Sequence, residues 1–146
     1  MQTDLERNRI AVKLAPELAL VQARLCGNLI NLGCWTEAAK LLPTVLTLDT
    51  TGAWSAALQA AFALHNGQTA QAESLLRQGL RIDPWNSGLH FQLGNAYAAK
   101  GRLKEARDSY ANALRCPHTD EEAERLNHAI ARLSDADRPN GLRHED

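Results

Sequence analysis

The chain has 146 residues, of which 45% are hydrophobic, 23% charged and only 5% aromatic, and its net charge is −1 at pH 7. Leucine and alanine make up about a third of it. Because both favour helices while sheet cores need β-branched and aromatic residues, the composition argues against a sandwich, a barrel or a doubly wound sheet. The near-neutral charge argues against a nucleic-acid-binding protein and against a polybasic membrane anchor.

A 34-residue period runs through the chain. It is carried by three glycines and by three alanines that follow them five residues later: Gly33, Gly67 and Gly101, and Ala38, Ala72 and Ala106. Self-similarity at a fixed period of this length is typical of helical repeat proteins. We therefore expect a stack of similar units rather than one globular core.

The chain begins with a segment that predicts a single helix. Residues 3–14 align with the second helix of the later units, and Thr3 and Glu6 have the spacing of a capping box. Residues 3–16 are thus predicted to form a half-repeat in front of the first complete one.

Three complete repeats are predicted to follow, at residues 19–52, 53–86 and 87–118. Each reads as two helices, because apolar residues recur at intervals of three and four and a glycine separates the two stretches. Pro43 lies inside the second helix of the first repeat. Since it lacks the amide that would bond to Ala39, a kink or a broken turn is expected there.

The last predicted element is a capping helix over residues 119–134. Thr119 and Glu122 form a second capping box, and an apolar stripe follows them. Residues 135–146 show no apolar periodicity and are predicted to be a flexible tail. Residues 1–134 would then form a single domain.

The third unit resembles the tetratricopeptide repeat, whose pattern is W-x2-L-G-x2-Y…A-x3-F…P. Leu93, Gly94 and Tyr97 match its first helix, and Ala106 and Tyr110 match its second. In the other two units, the second helix matches this pattern better than the first helix does. The resemblance implies an all-α, right-handed solenoid of three repeats with a half-repeat before and a cap after.

In tetratricopeptide solenoids the first helices of successive repeats line a concave groove that holds a peptide. The resemblance carries this role to Leu20, Ala23, Arg24, Gly27, Ile30 and Asn31; to Trp54, Ala57, Leu58, Ala61, Leu64 and His65; and to Gly88, Phe91, Gln92, Asn95, Ala98 and Ala99. Family members that grip a carboxylate use Lys, Arg and Asn here, which only Arg24, Asn31 and Asn95 resemble. An apolar groove anchored by Trp54 and Phe91 suits a partner helix or an extended hydrophobic segment.

Two further tryptophans lie beside turns. Trp35 comes two residues after Gly33, and Trp85 follows Pro84. These positions predict that both rings seal joints between repeats and bind no ligand.

The chain contains no recognisable motif for catalysis or for a cofactor. It lacks a nucleophile elbow, a phosphate-binding loop and a zinc-protease motif, and its five histidines lack metal-ligand spacing. The three cysteines form no CxxC pair and read as reduced thiols in a cytosolic setting. We expect no enzyme activity, no cofactor and no metal, and a cytoplasmic protein without a signal peptide or membrane span.

The function that these features predict is protein–protein interaction, as an adaptor, a scaffold or a chaperone. One alternative is a tetratricopeptide targeting or regulatory segment of a larger multidomain enzyme. A second is a chaperone of type III secretion, which the chain resembles in size, repeat number and groove character. A third is self-assembly into homo-oligomers through the end helices.

Overall fold

The computed structural model describes residues 3–136, which form eight α-helices and no strand. In chain order they are α1 (Asp4–Leu14), α2 (Ala19–Asn31), α3 (Trp35–Leu48), α4 (Ala53–His65), α5 (Thr69–Ile82), α6 (Ser87–Ala99), α7 (Leu103–Arg115) and α8 (Asp120–Ala136). The predicted all-α class is confirmed, and the arrangement is consistent with a helical solenoid. Within the described residues, no helix combines the length and the apolar character needed to cross a membrane.

The helices stack in the order of the chain. Each one packs against the next, from α1 to α8, and α4 also packs against both α2 and α6. The first helices of the three predicted repeats therefore form a continuous row. Nearest-neighbour stacking of this kind is how repeat proteins bury apolar surface that one unit cannot cover alone.

Each helix pair turns on a left-handed glycine. Gly33, Gly67 and Gly101 have φ angles of 78°, 77° and 77°. The amide that follows each glycine donates to the carbonyl five residues earlier: Cys34 to Leu29 at 2.7 Å, Gln68 to Ala63 at 2.8 Å and Arg102 to Tyr97 at 2.9 Å. This is a Schellman-type helix end, and it requires a residue without a Cβ penalty at positive φ.

Small residues allow the two helices of a pair to approach closely. Ala38, Ala72 and Ala106, one in each second helix, have no exposed surface. The closest approach is at Gly94, where an added Cβ would lie only 2.5 Å from ring carbons of Tyr110. The small residues of the repeat pattern are thus explained by packing.

The buried apolar residues fall into two clusters. The larger extends from α4 to α8 and includes Leu76, Leu89 and Leu126. The smaller lies on α2, α3 and α4 and includes Leu29 and Val45. Because α4 contributes residues to both clusters, the two clusters meet at this helix.

Both predicted capping boxes are confirmed. In front of α1, Thr3 Oγ1 accepts from the Glu6 amide at 3.2 Å and the Thr3 amide donates to Glu6 at 3.1 Å. In front of α8, the same two bonds join Thr119 and Glu122 at 3.1 and 2.9 Å. Each box satisfies amides that have no partner within the helix.

Two expectations need revision. Of the kink or broken turn expected at Pro43, the broken turn is not found, because helix α3 runs without interruption through this residue. The hydroxyl of Thr47 donates to the Pro43 carbonyl at 3.0 Å. Helix α8 ends at Ala136, two residues beyond the predicted cap, and the rest of the predicted tail, 137–146, lies outside the described residues.

Candidate partner-binding groove

Two adjoining clefts run along the row formed by α2, α4 and α6. The first cleft, of about 810 Å³, is lined by these helices together with α1, α8 and the α5–α6 connection. The second cleft, of about 890 Å³, is lined by α2, α4, α6, α7 and α8. They share the residues Ile30, Asn31, Ala61, Phe91, Gln92 and Arg125. We treat them as one structure, called the groove below.

Most of the residues predicted to line a groove do line it. Leu20, Arg24, Gly27, Asn31, Trp54, Leu58, Ala61, Phe91 and Gln92 line the first cleft, and Asn95 and Ala98 line the second. Leu64 and His65 line neither. Leu64 packs against the larger apolar cluster, and the His65 ring stacks on Trp35 with centroids 3.8 Å apart.

The two turn tryptophans have different environments. Trp35 stacks on His65 and makes an edge contact with Phe62 at 5.3 Å, so it seals the joint between α3 and α4 as predicted. Trp85 does not seal a joint. It is 67% exposed and lines the first cleft. Helical periodicity carries no information at a turn position, so no sequence pattern could have indicated this third groove aromatic.

The groove also contains charged residues that the repeat columns did not predict. They come from the two end helices, because α1 and α8 meet across the first cleft: Arg7 Nη2 lies 3.8 Å from Glu121 Oε1. Burial alone would raise the pKa of Asp4, but its hydrogen bonds with Glu121 and Arg7 hold that pKa below the ordinary value. The same bond to Asp4 raises the pKa of Glu121. The groove is thus closed at one side by contacts between distant parts of the chain.

The second cleft has a polar floor and a basic wall. Tyr110 Oη donates to Asn95 Oδ1 at 2.6 Å, and Asn95 Nδ2 donates to Gln92 Oε1 at 3.3 Å. Burial raises the pKa of Tyr110 to about 12, so the phenol stays a donor. The cleft is also lined by three residues of α8, namely Arg125, His128 and Arg132.

The cysteines and histidines among residues 3–136 belong to no cluster of metal ligands. No group of three His, Cys, Asp or Glu side chains there could hold a metal ion. Burial raises the pKa of the Cys26 thiol to about 11, and its Sγ donates to the Ala38 carbonyl at 3.4 Å. A protonated, fully buried thiol acts as a small packing residue.

Comparison with known proteins indicates the family that the chain resembles. The family model of the tetratricopeptide repeat matches residues 63–133, from the end of α4 into α8. Over this part the chain matches the tetratricopeptide repeat, and the predicted resemblance is confirmed. Such repeats generally mediate protein–protein interaction and are typically not catalytic. A search of curated protein sequences gave no match to the chain.

Proposed function

We propose that the predicted domain, residues 1–134, is an adaptor or chaperone module that holds a partner's helix or extended segment in the groove. The observation that carries the proposal is that three aromatic residues, Trp54, Trp85 and Phe91, line one continuous concave surface. Partly exposed aromatic rings over a buried floor are the usual anchors of peptide recognition.

The dimensions of the groove support a peptide occupant. Its row of first helices consists of 13-residue helices, each about 20 Å long at 1.5 Å per residue. The floor is apolar where Leu58 and Ala61 lie, at 7% and 3% exposure. Such a surface accommodates an amphipathic helix, or an extended segment that places alternate side chains on the floor.

Gly27 offers a way to block the groove without disturbing the fold. It lies in the middle of α2 and lines the first cleft. A Cβ built on Gly27 meets no atom within 4 Å. A phenylalanine at this position should therefore occupy the space that a partner would need, while the helix keeps its contacts.

The test is selection of a displayed library of random 12-residue peptides on the immobilised full chain, followed by titration of individual selected peptides. Gly27→Phe should weaken their binding at least tenfold, whereas Ala39→Phe, on the exposed side of α3, should leave it within about twofold. A second matched pair is Leu20→Asp in the first cleft and Leu46→Asp outside it, at 38% and 42% exposure. Equal effects within each pair, or a library without selected binders, would show that the groove is not the binding surface.

A further inference from the structure

We propose that the second cleft selects partner segments that carry aspartate or glutamate, with the carboxylates bound by the α8 side chains Arg125, His128 and Arg132. This inference rests on the proposed function and adds the chemistry of the partner. The three residues lie on the capping helix, outside the repeat columns that the family pattern assigns to peptide binding.

The three side chains share one face of α8. They stand at positions i, i+3 and i+7, which a helix places in line on the same side. All three line the second cleft, and Arg125 also reaches the first. The row therefore runs along one wall of the groove.

Among the described residues, no Asp or Glu lines the second cleft beside this row. The described residues that line the second cleft include two arginines and a histidine but neither Asp nor Glu. The charge of Arg125 also acts on the carboxyls of Asp4 and Glu121: it contributes to the lowered pKa of Asp4 and opposes the raised pKa of Glu121. Farther along, the positive charge of Arg132 acts on Tyr110, where it opposes the effect of burial on the pKa.

Arg132 is the exposed arginine of this row, whereas Arg125 is partly buried. Among residues 3–136 the ion pairs involve Arg7, Arg9, Arg77, Lys100 and Arg102, and none includes Arg132 or His128. A guanidinium presents a planar fork of donors that matches a carboxylate in two parallel bonds. An acidic side chain on a bound segment would supply the missing partner.

Other residues that line the second cleft suit the rest of such a segment. The amide side chains of Asn31, Gln92 and Asn95 line the same cleft as Phe91 and Leu103. Amides can bond to the backbone of an extended peptide, and the two apolar residues can receive an apolar side chain. The occupant that fits is a segment in which acidic and apolar residues are mixed.

The peptide selection described above also tests this inference. Peptides selected on the unaltered chain should be enriched in Asp and Glu relative to the input library. Arg132→Gln should abolish the enrichment, whereas Arg81→Gln, which removes one exposed arginine outside the groove, should preserve it. For a selected peptide, replacing Glu by Gln should weaken binding about 5- to 10-fold on the unaltered chain and less than twofold on Arg132→Gln.

Different outcomes identify which proposal is wrong. Peptides that depend on Gly27 but show no acidic enrichment would retain the groove and overturn the role of α8. Acidic enrichment that survives Arg132→Gln, or that Arg81→Gln removes equally, would also overturn it. So would tight binding of a 20-nucleotide single-stranded DNA that Arg132→Gln abolishes, since the cations would then serve a nucleic acid. A library without binders would overturn both proposals.

Discussion

The α3–α4 and α5–α6 connections occupy the same part of the 34-residue period, yet they cap the following helix differently. At the first, Asp49 is only 8% exposed, and its carboxylate accepts from the Ser55 amide at 2.8 Å and the Ser55 hydroxyl at 2.9 Å. At the second, the carboxylate of the corresponding residue, Asp83, accepts from a single donor among residues 3–136, the Trp85 amide, at 3.3 Å. Asn86 instead accepts from the Leu89 amide, at 3.1 Å.

The difference follows from one position of the repeat. Gly52 and Asn86 are equivalent, and each is the residue that precedes the first turn of its helix. Gly52 has no side chain to offer and adopts φ 85°, so the carboxylate three residues earlier bonds to the free amide of Ser55. Asn86 bonds to the equivalent amide itself. The capping role can therefore pass from one repeat position to another when a neighbouring residue differs between repeats.

The largest expected effect is at the first connection. Asp49→Ala should lower the free energy of unfolding by about 2–3 kcal/mol, because it leaves a buried amide and a buried hydroxyl without their charged acceptor. Asp83→Ala should cost less than about 0.5 kcal/mol, as is usual for surface substitutions. Urea denaturation followed by circular dichroism measures both. Equal losses would mean that the two aspartates are equivalent after all.

At the α5–α6 connection the expected loss of stability is smaller, and a second substitution of the same residue serves as a control. Asn86→Ala should cost about 1 kcal/mol, the usual value for losing an N-cap side chain, whereas Asn86→Asp should be close to neutral because aspartate caps equally well. Thermal unfolding of the two variants and the unaltered chain distinguishes these results. A loss in Asn86→Asp as large as that in Asn86→Ala would exclude capping as the role of this residue.

The sequence predicted the parts of the molecule that local patterns determine. Helices, glycine turns and both capping boxes follow from spacing within a few residues. Of the 18 predicted groove positions, 16 line the clefts, because the repeat fixes their columns. The positions that differ, Leu64 and His65, come at the end of α4, where Trp35 and the core take up their side chains. The basic wall from α8 was not predictable, because the meeting of the two end helices depends on the curvature of the whole stack.

The smallest expected loss of stability concerns an ion-pair contact between α5 and the end of α6 that has no counterpart between α3 and α4. Glu73 on α5 pairs with Arg77 at 2.9 Å and with Lys100 just beyond α6, whereas the equivalent positions of the preceding repeat are Ala39, Pro43 and Asn66. Since the ion pairs are near the surface, Glu73→Gln should cost only about 0.5–1 kcal/mol at neutral pH.

The pH dependence of that loss tests the assignment to Glu73. Hydrogen bonds from Lys100 and Arg77 lower its pKa from 4.5 to about 2. A carboxyl whose pKa is lower in the folded state stabilises the fold above its unfolded pKa and loses that contribution in acid. The gap in melting temperature between the unaltered chain and Glu73→Gln should therefore be constant above pH 4.5 and close as the pH falls toward 2. A difference in melting temperature that persists in acid would show that the glutamine disturbs packing between α5 and α6. The stabilisation by Glu73 would then not come from ion pairing.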